Sequence, residues 1–506
     1  MEMVDAWVAI LVLASLAAIA WIGLWSFRRT RTTKDFFIAG QRVGLLATAL
    51  ATMAAAFSGF VFLGGPGLTY RLGIASLAIV LPVGFTAGLL CWLLAKRLRL
   101  LAEVREVFTI PDAIACRFGS SLTTALAIVA VLVGVVGYLG AQFLALAILL
   151  ESLLGMRDSL GSWSLPAALI LSWAIVIFYS VLCGMVAGIY TDVVQGILML
   201  VAAVLVFCRA IWVVGGARQM LAGIAGSAQF RGFFDPLAEG LALTTLGFFL
   251  VFGIGVLGQP HMLHKFYMMK DPKQLRWIPL ILGGSQALCL LIWVGLGLAV
   301  PALVAQGRMA PLVGADTAAP RFLLEFGTPV LSGLVVTAVV AAIMSTADSF
   351  LNIGSAALVR DLPRLVGWKV SEELVHARWA TVGVAVAAAG LALTYDDLVA
   401  LLGTFAFGTL GAALGPALAL GMNWRRVTAT AASAAIATGL VVSLSLEIVR
   451  RMAPSGTLAE IGLAGGALPA AVALLASMSV LMIVSWLTGT DDGHDLPADV
   501  RAVMES

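Results

Sequence analysis

Charge is what this sequence has least of: Asp, Glu, Lys and Arg make up 11% of its 506 residues, while 61% are hydrophobic. A chain this long could form several soluble domains, but too few charged residues remain to solvate their surfaces. The composition implies an integral membrane protein. Cysteine is sparse too. Cys91, Cys116, Cys183, Cys208 and Cys289 are scattered without CxxC spacing, which suggests neither a disulfide framework nor a metal knuckle, and they read as small apolar packers. A net charge of +3 gives no reason to expect a nucleic-acid partner. The first residues, MEMVDAW, are acidic where a secretory signal is basic, and no small-residue cleavage site closes the apolar run to Phe27. Val4 to Phe27 is therefore expected to be a retained first span.

What is abundant is apolar sequence in lengths that cross a bilayer. Further spans are expected near 44–70, 74–95, 122–154, 164–183, 187–214, 241–267, 277–304, 329–359, 377–394, 397–422, 428–449 and 463–487, which makes about 13 helices. A spanning segment must satisfy its own backbone hydrogen bonds, so the fold class is all-α integral membrane. With the N-terminus outside, alternate loops collect about 20 basic residues, among them Arg28, Arg97, Arg117, Lys265, Lys270, Arg364 and Arg425; the opposite loops hold about 8. That bias places the C-terminus in the cytoplasm of a multi-pass protein of the cell (inner) membrane.

Polar residues inside the spans are few and clustered. Ala341 to Ser349, AAIMSTADS, puts Ala342, Ser345, Thr346 and Ser349 on one helical stripe with Asp348 at its edge. Hydroxyls in membrane helices often only bond a carbonyl one turn back. A mid-membrane Asp, which costs roughly 2.5 to 3.5 kcal/mol to insert, must find a partner. Asp192, in GIYTDVVQG, is a second such acid. With no Lys or Arg in the nearby spans, the two acids require a cation. Sodium suits an array of hydroxyls, carboxylates and freed carbonyls, and a proton on either carboxylate is the competing solution. Two spans are also interrupted: Ser58-Gly59 and Gly64-Gly65-Pro66-Gly67 break the second, and Gly253, Gly255, Gly258 and Pro260 break the seventh. Backbone freed at such depth is tolerated only where it faces protein or a water-filled site. If spans two to six and seven to eleven are two repeats, each begins with a broken helix, the sequence mark of an inverted-repeat secondary transporter. The expected divisions are 1–43, the first span and its loop; 44–239 and 240–426, two five-helix repeats; 427–487, two peripheral helices; and 488–506, a short tail.

With these residues in hand, the chain resembles the sodium:solute symporter family, most of all its sodium/proline symporter branch. RRTRTTKDFFIAGQRVG, TIPDAIACRFG and GQPHMLHKFYMMKD carry the likeness, which covers nearly the whole length. The resemblance implies a 5+5 inverted-repeat (LeuT-like) core and an outer sodium site formed by the carbonyls of Ala54, Phe57 and Ala342 with the hydroxyls of Ser345 and Thr346. It implies a further inward cation site, for sodium or a proton, at Asp192, Ser345, Asp348 and Ser349, where Asp348 replaces a usual serine. It also implies a solute site at Ser58, Gly59, Phe60, Tyr138, Phe252, Gln259 and Pro260. Phe252 stands for an expected tryptophan, Val256 for a tyrosine and Ala56 for an aspartate, which leaves the solute open between an amino acid such as proline and a short carboxylate.

The function expected is sodium-coupled symport of a small organic solute by alternating access, with sodium ions, solute and the lipid bilayer as partners, no organic cofactor and no obligate protein partner evident. Proton-coupled symport by the same fold is the nearest alternative. A transporter-derived sensor is a different class, and the tail after Leu487 is too short for a kinase. Enzymatic chemistry has little support: His261 and His264 lie i, i+3, but no Glu or Cys joins them, and a cytoplasmic helix end accounts for them.

Overall fold

Hydrocarbon offers a backbone no hydrogen-bond partners, so each crossing segment has to coil on itself. The computed structural model describes residues 38–105, 107–237, 242–368, 370–395, 397–452, 467–489 and 497–505, short helical pieces between 7 and 22, and the backbone but not the side chains at 179 and 181–187. The expected first span at 4–27 lies largely outside these. Among the described residues the architecture is all-helical, and the only ladder pairing is an isolated bridge between Val43 and Met269.

Ten helices among them are long and apolar enough to cross a membrane, or eleven when a bent pair is counted as one span. That pair is α1 (Leu45–Ala56) and the helical stretch Phe60–Ile79, which contains α2 (Gly65–Leu72); the two are inclined at 55°. The expected span at 74–95 is built of short pieces, a 3-10 turn over Gly73–Ile79 and a helix over Val83–Leu90 that widens into a π segment over Cys91–Ala95. It continues into α3 (Lys96–Arg105). After them come α4 (Ser121–Leu153), α5 (Met156–Phe178) and α6 (Gly188–Val214). The second interrupted span is α7 (Ala242–Ile254), a 3-10 turn over Gly255–Gly258 and α8 (Pro260–Tyr267). It is a local unwinding rather than a sharp bend, with Pro260 starting α8 where its missing N–H is needed least. Then follow α9 (Leu291–Ala305), α10 (Pro329–Ala356), α11 (Glu373–Leu393), α12 (Val399–Ala419), α13 (Ala429–Met452), α14 (Ala467–Thr488) and the short α15 (Ala498–Glu505).

Burial identifies the centre. The α12 span is 94% buried and the α10 span 83%, against 28% for α11 and for α5. α12 reaches the middle because it is lined with small residues facing the second break. A Cβ on Gly258 would lie 2.5 Å from the Leu410 carbonyl oxygen and 2.8 Å from the Gly415 nitrogen, so only glycine lets the two backbones meet. The interruption of the second broken span is thereby held against α12.

Candidate functional site

The first break determines what polar groups become available. α1 stops at Ala56, Phe57 is extended, and the last carbonyls of α1 lose their helical donors. The Thr346 hydroxyl on α10 donates to the Ala55 carbonyl at 3.1 Å. The Gly59 N–H donates to Oε1 of Gln142 on α4 at 3.0 Å, and Ser58 Oγ lies 3.3 Å from the Tyr138 hydroxyl. Gly59 sits so close to α4 and α10 that a Cβ would approach Ala145 to 2.6 Å and Ile343 to 2.9 Å. Ala54, Phe57, Ala342, Ser345 and Thr346 are all buried. The Ser345 and Thr346 protons are directed to protein acceptors, so each hydroxyl keeps lone pairs to offer a cation. These donors suit sodium, which prefers hard oxygens. Among the described residues no group of three or more His, Cys, Asp and Glu could hold a metal.

One turn inward, the acids are arranged differently from expectation. Asp192 on α6 accepts the Ser345 hydroxyl on Oδ1 at 2.5 Å and the Lys265 ammonium on Oδ2 at 2.7 Å. Both members of that ion pair are almost wholly buried, at 2% and 1% side-chain exposure. This corrects two expectations: the acids do have a lysine nearby, and Lys265 is not a loop charge. α8 keeps its helical course through Lys265 and buries every residue of Pro260–Tyr267. Asp348 is buried within Coulombic reach of Asp192 and Lys265, and its Oδ1 and the Ser349 hydroxyl have no hydrogen-bond partner.

On the other side of the first break aromatic rings gather. Phe60 stacks on Phe252 at 5.4 Å, Phe252 on Phe407 at 4.6 Å, and Trp293 meets Phe60 edge-on at 5.6 Å. Trp293 is oriented by its N–H, which donates to Thr69 on α2 at 2.9 Å. Gln259 donates to the carbonyls of Gly255 and Phe407, each at 2.9 Å, pinning the second break to α12. Tyr138 belongs to a different group, stacked on Phe350 at 4.7 Å beside His261 at 5.8 Å. His261 and His264 are buried, not at a solvated helix end, and neither ring nitrogen of His261 has a partner.

The structure thus brings Phe60 and Phe252 together, joins Ser58 to Tyr138 and Asp192 to Ser345, and adds Lys265, Gln142, Trp293, Phe407 and His261, which sequence reasoning missed. Lys265 stands at the end of the expected span 241–267, where a lysine reads as a loop charge. Gln142 was findable, as a lone amide inside an apolar span. Below Pro260, a narrow cavity lined by His264, Asn352 and Asp361 adjoins a cleft of about 250 Å³ at the arginine-rich end; the two share Pro111 and Asp361 in their walls.

Comparison with known proteins agrees with this geometry. The sequence profile described as the sodium:solute symporter family matches residues 36–439. The high-affinity proline transporter PutP of Bacillus subtilis (strain 168) is 29% identical over 444 residues, 85% of this chain and 89% of that protein. The osmoregulated proline transporter OpuE of the same organism is 30% identical over 438 residues, 84% of this chain and 85% of its own. Among solved structures, the substrate-bound outward-open state of a sodium-coupled sialic acid symporter superposes with a TM-score of 0.74 at 18% identity, covering 95% of this chain and 97% of that one.

Proposed function

Because this chain belongs to the sodium:solute symporter family, whose members here are transporters and not enzymes, we propose that it couples the inward movement of sodium to uptake of a small organic solute, with an amino acid such as proline the first choice. The observation that carries the reading is the meeting of α10 with the first break. Thr346 reaches the Ala55 carbonyl there, so a sodium held by Ala54, Phe57, Ala342, Ser345 and Thr346 would tie the broken span to α10. Binding energy realised only when these elements are together selects the conformation in which they are together. The solute would lie beyond Ser58 and Gly59, against Phe60 and Phe252, with Trp293 and Phe407 closing the wall; Gln259 and Pro260 border it at the second break. An apolar wall beside interrupted backbone suits a compact, largely apolar solute such as proline, and the two Bacillus relatives carry proline in their names.

The arginine-rich end would face the cytoplasm of the cell (inner) membrane, the N-terminus outside, and the narrow cavity from Pro260 to Asp361 would be part of the route inward. The test is a thermal-shift panel of amino acids and short carboxylates on the purified protein. Stabilisation by proline that requires sodium supports the reading. Stabilisation that is the same in potassium, and that changes only with pH, favours proton coupling instead.

A further inference from the structure

We propose that the Lys265 ammonium is the resident cation of the inner site, so that Asp192 serves a tethered charge rather than a second sodium. This rests on the sodium-coupled reading above but concerns a different position. The geometry is that of an occupied cation site: Asp192 Oδ2 lies 2.7 Å from Lys265 Nζ, Oδ1 takes the Ser345 hydroxyl at 2.5 Å, and the group is closed to solvent. An ammonium is a compact charge on a flexible stem, able to stand where a small hard ion would. A free sodium at Asp192 would meet both the desolvated carboxylate already neutralised and a positive charge at contact distance. Repulsion between like charges that close in a low-dielectric setting works against a second cation at Asp192, and Asp348, the other buried carboxylate of the group, lies within Coulombic reach of the same ammonium, so the tethered charge serves both acids.

Three elements meet at this charge: α6 through Asp192, α10 through Ser345 and α8 through Lys265. Ser345 is common to the inner group and to the outer site. With its proton committed to Asp192, its lone pairs are left for the outer ion. Lys265 thereby sets the ion count at one per transported solute and orients an outer-site ligand, an assignment made for it by neither the family resemblance nor the spacing of the motif.

Equilibrium binding of radioactive sodium to the purified full chain reads this directly. The expected result is one ion per wild-type molecule, two for Lys265→Gln, and one again for Lys265→Gln with Asp192→Asn. Lys265→Arg, which keeps the charge, should bind one ion. Two ions on the wild type, or one on a folded Lys265→Gln variant, overturn the proposal. Should Lys265→Gln fail to fold, Lys265→Met, which keeps the stem without the charge, is counted in its place, with two ions expected and one overturning the proposal. No ion on the wild type but one on Lys265→Gln would leave Lys265 in this role and remove sodium coupling instead.

Discussion

In the proposed outer sodium site, Ser345 and Thr346 are the two side chains that would supply hydroxyl ligands. Each is buried and donates across an interface between helices, Ser345 to Asp192 and Thr346 to Ala55. Replacing either by alanine removes one oxygen ligand and leaves its acceptor unsatisfied, a loss of about 1.4 kcal/mol. The sodium concentration for half-maximal uptake should rise about tenfold in each variant, measured by uptake at fixed solute. At the other end of the molecule, in the loop before α10, Asp316 is buried under the start of α12 and accepts the Val399 N–H at 2.8 Å. Burial pushes its carboxyl up from the ordinary 3.8 to about 7. The folded state then holds a proton that the unfolded state has released between these values, so stability falls as pH rises from about 4 to 7 and is flat above. Asp316→Asn should remove that slope from the pH dependence of thermal unfolding. An unchanged slope would mean the carboxyl is already ionised in the fold.

The broken helices are where sequence and structure agree best, although Gly64-Gly65-Pro66-Gly67, expected to interrupt the second span, run on as helix, and the reason is local. Glycine and proline act within a few residues, so Ser58-Gly59 and Gly253 to Pro260 announce their breaks without knowledge of what surrounds them. At Gly258 the neighbour is backbone of α12, which cannot swing aside. Gly258→Ala should lower the unfolding temperature, by an overpacking cost of about 1–3 kcal/mol, and reduce uptake. The Asp192–Lys265 pair was not legible for the complementary reason. A lysine near the end of a span reads as a loop charge, and only the packing of α6 and α10 around α8 decides that it is buried. The aromatic group divided likewise: Phe60 and Phe252 sit by the breaks and could be found, whereas Trp293 and Phe407 come from spans with no local signal. Between elements, the ion pair predicts non-additivity. Asp192→Asn alone strands a buried ammonium at a cost of about 3–5 kcal/mol, while adding Lys265→Gln should restore part of the lost thermal stability.

For the whole molecule, two interrupted spans are clamped between α4, α10 and α12, with hydroxyls and carbonyls on one side of the first break and aromatic rings on the other. Ion and solute would thus share the same piece of backbone, Ala55 to Phe60, and each would favour the arrangement the other needs. That reciprocity is the physical content of coupling. It is tested most directly in proteoliposomes holding the purified chain, by following labelled proline under an inward sodium gradient with no pH difference. The account predicts accumulation above the external concentration, abolished when sodium is equal on both sides and in the Thr346→Ala variant at low sodium. Accumulation that persists without sodium and collapses with a protonophore would contradict it.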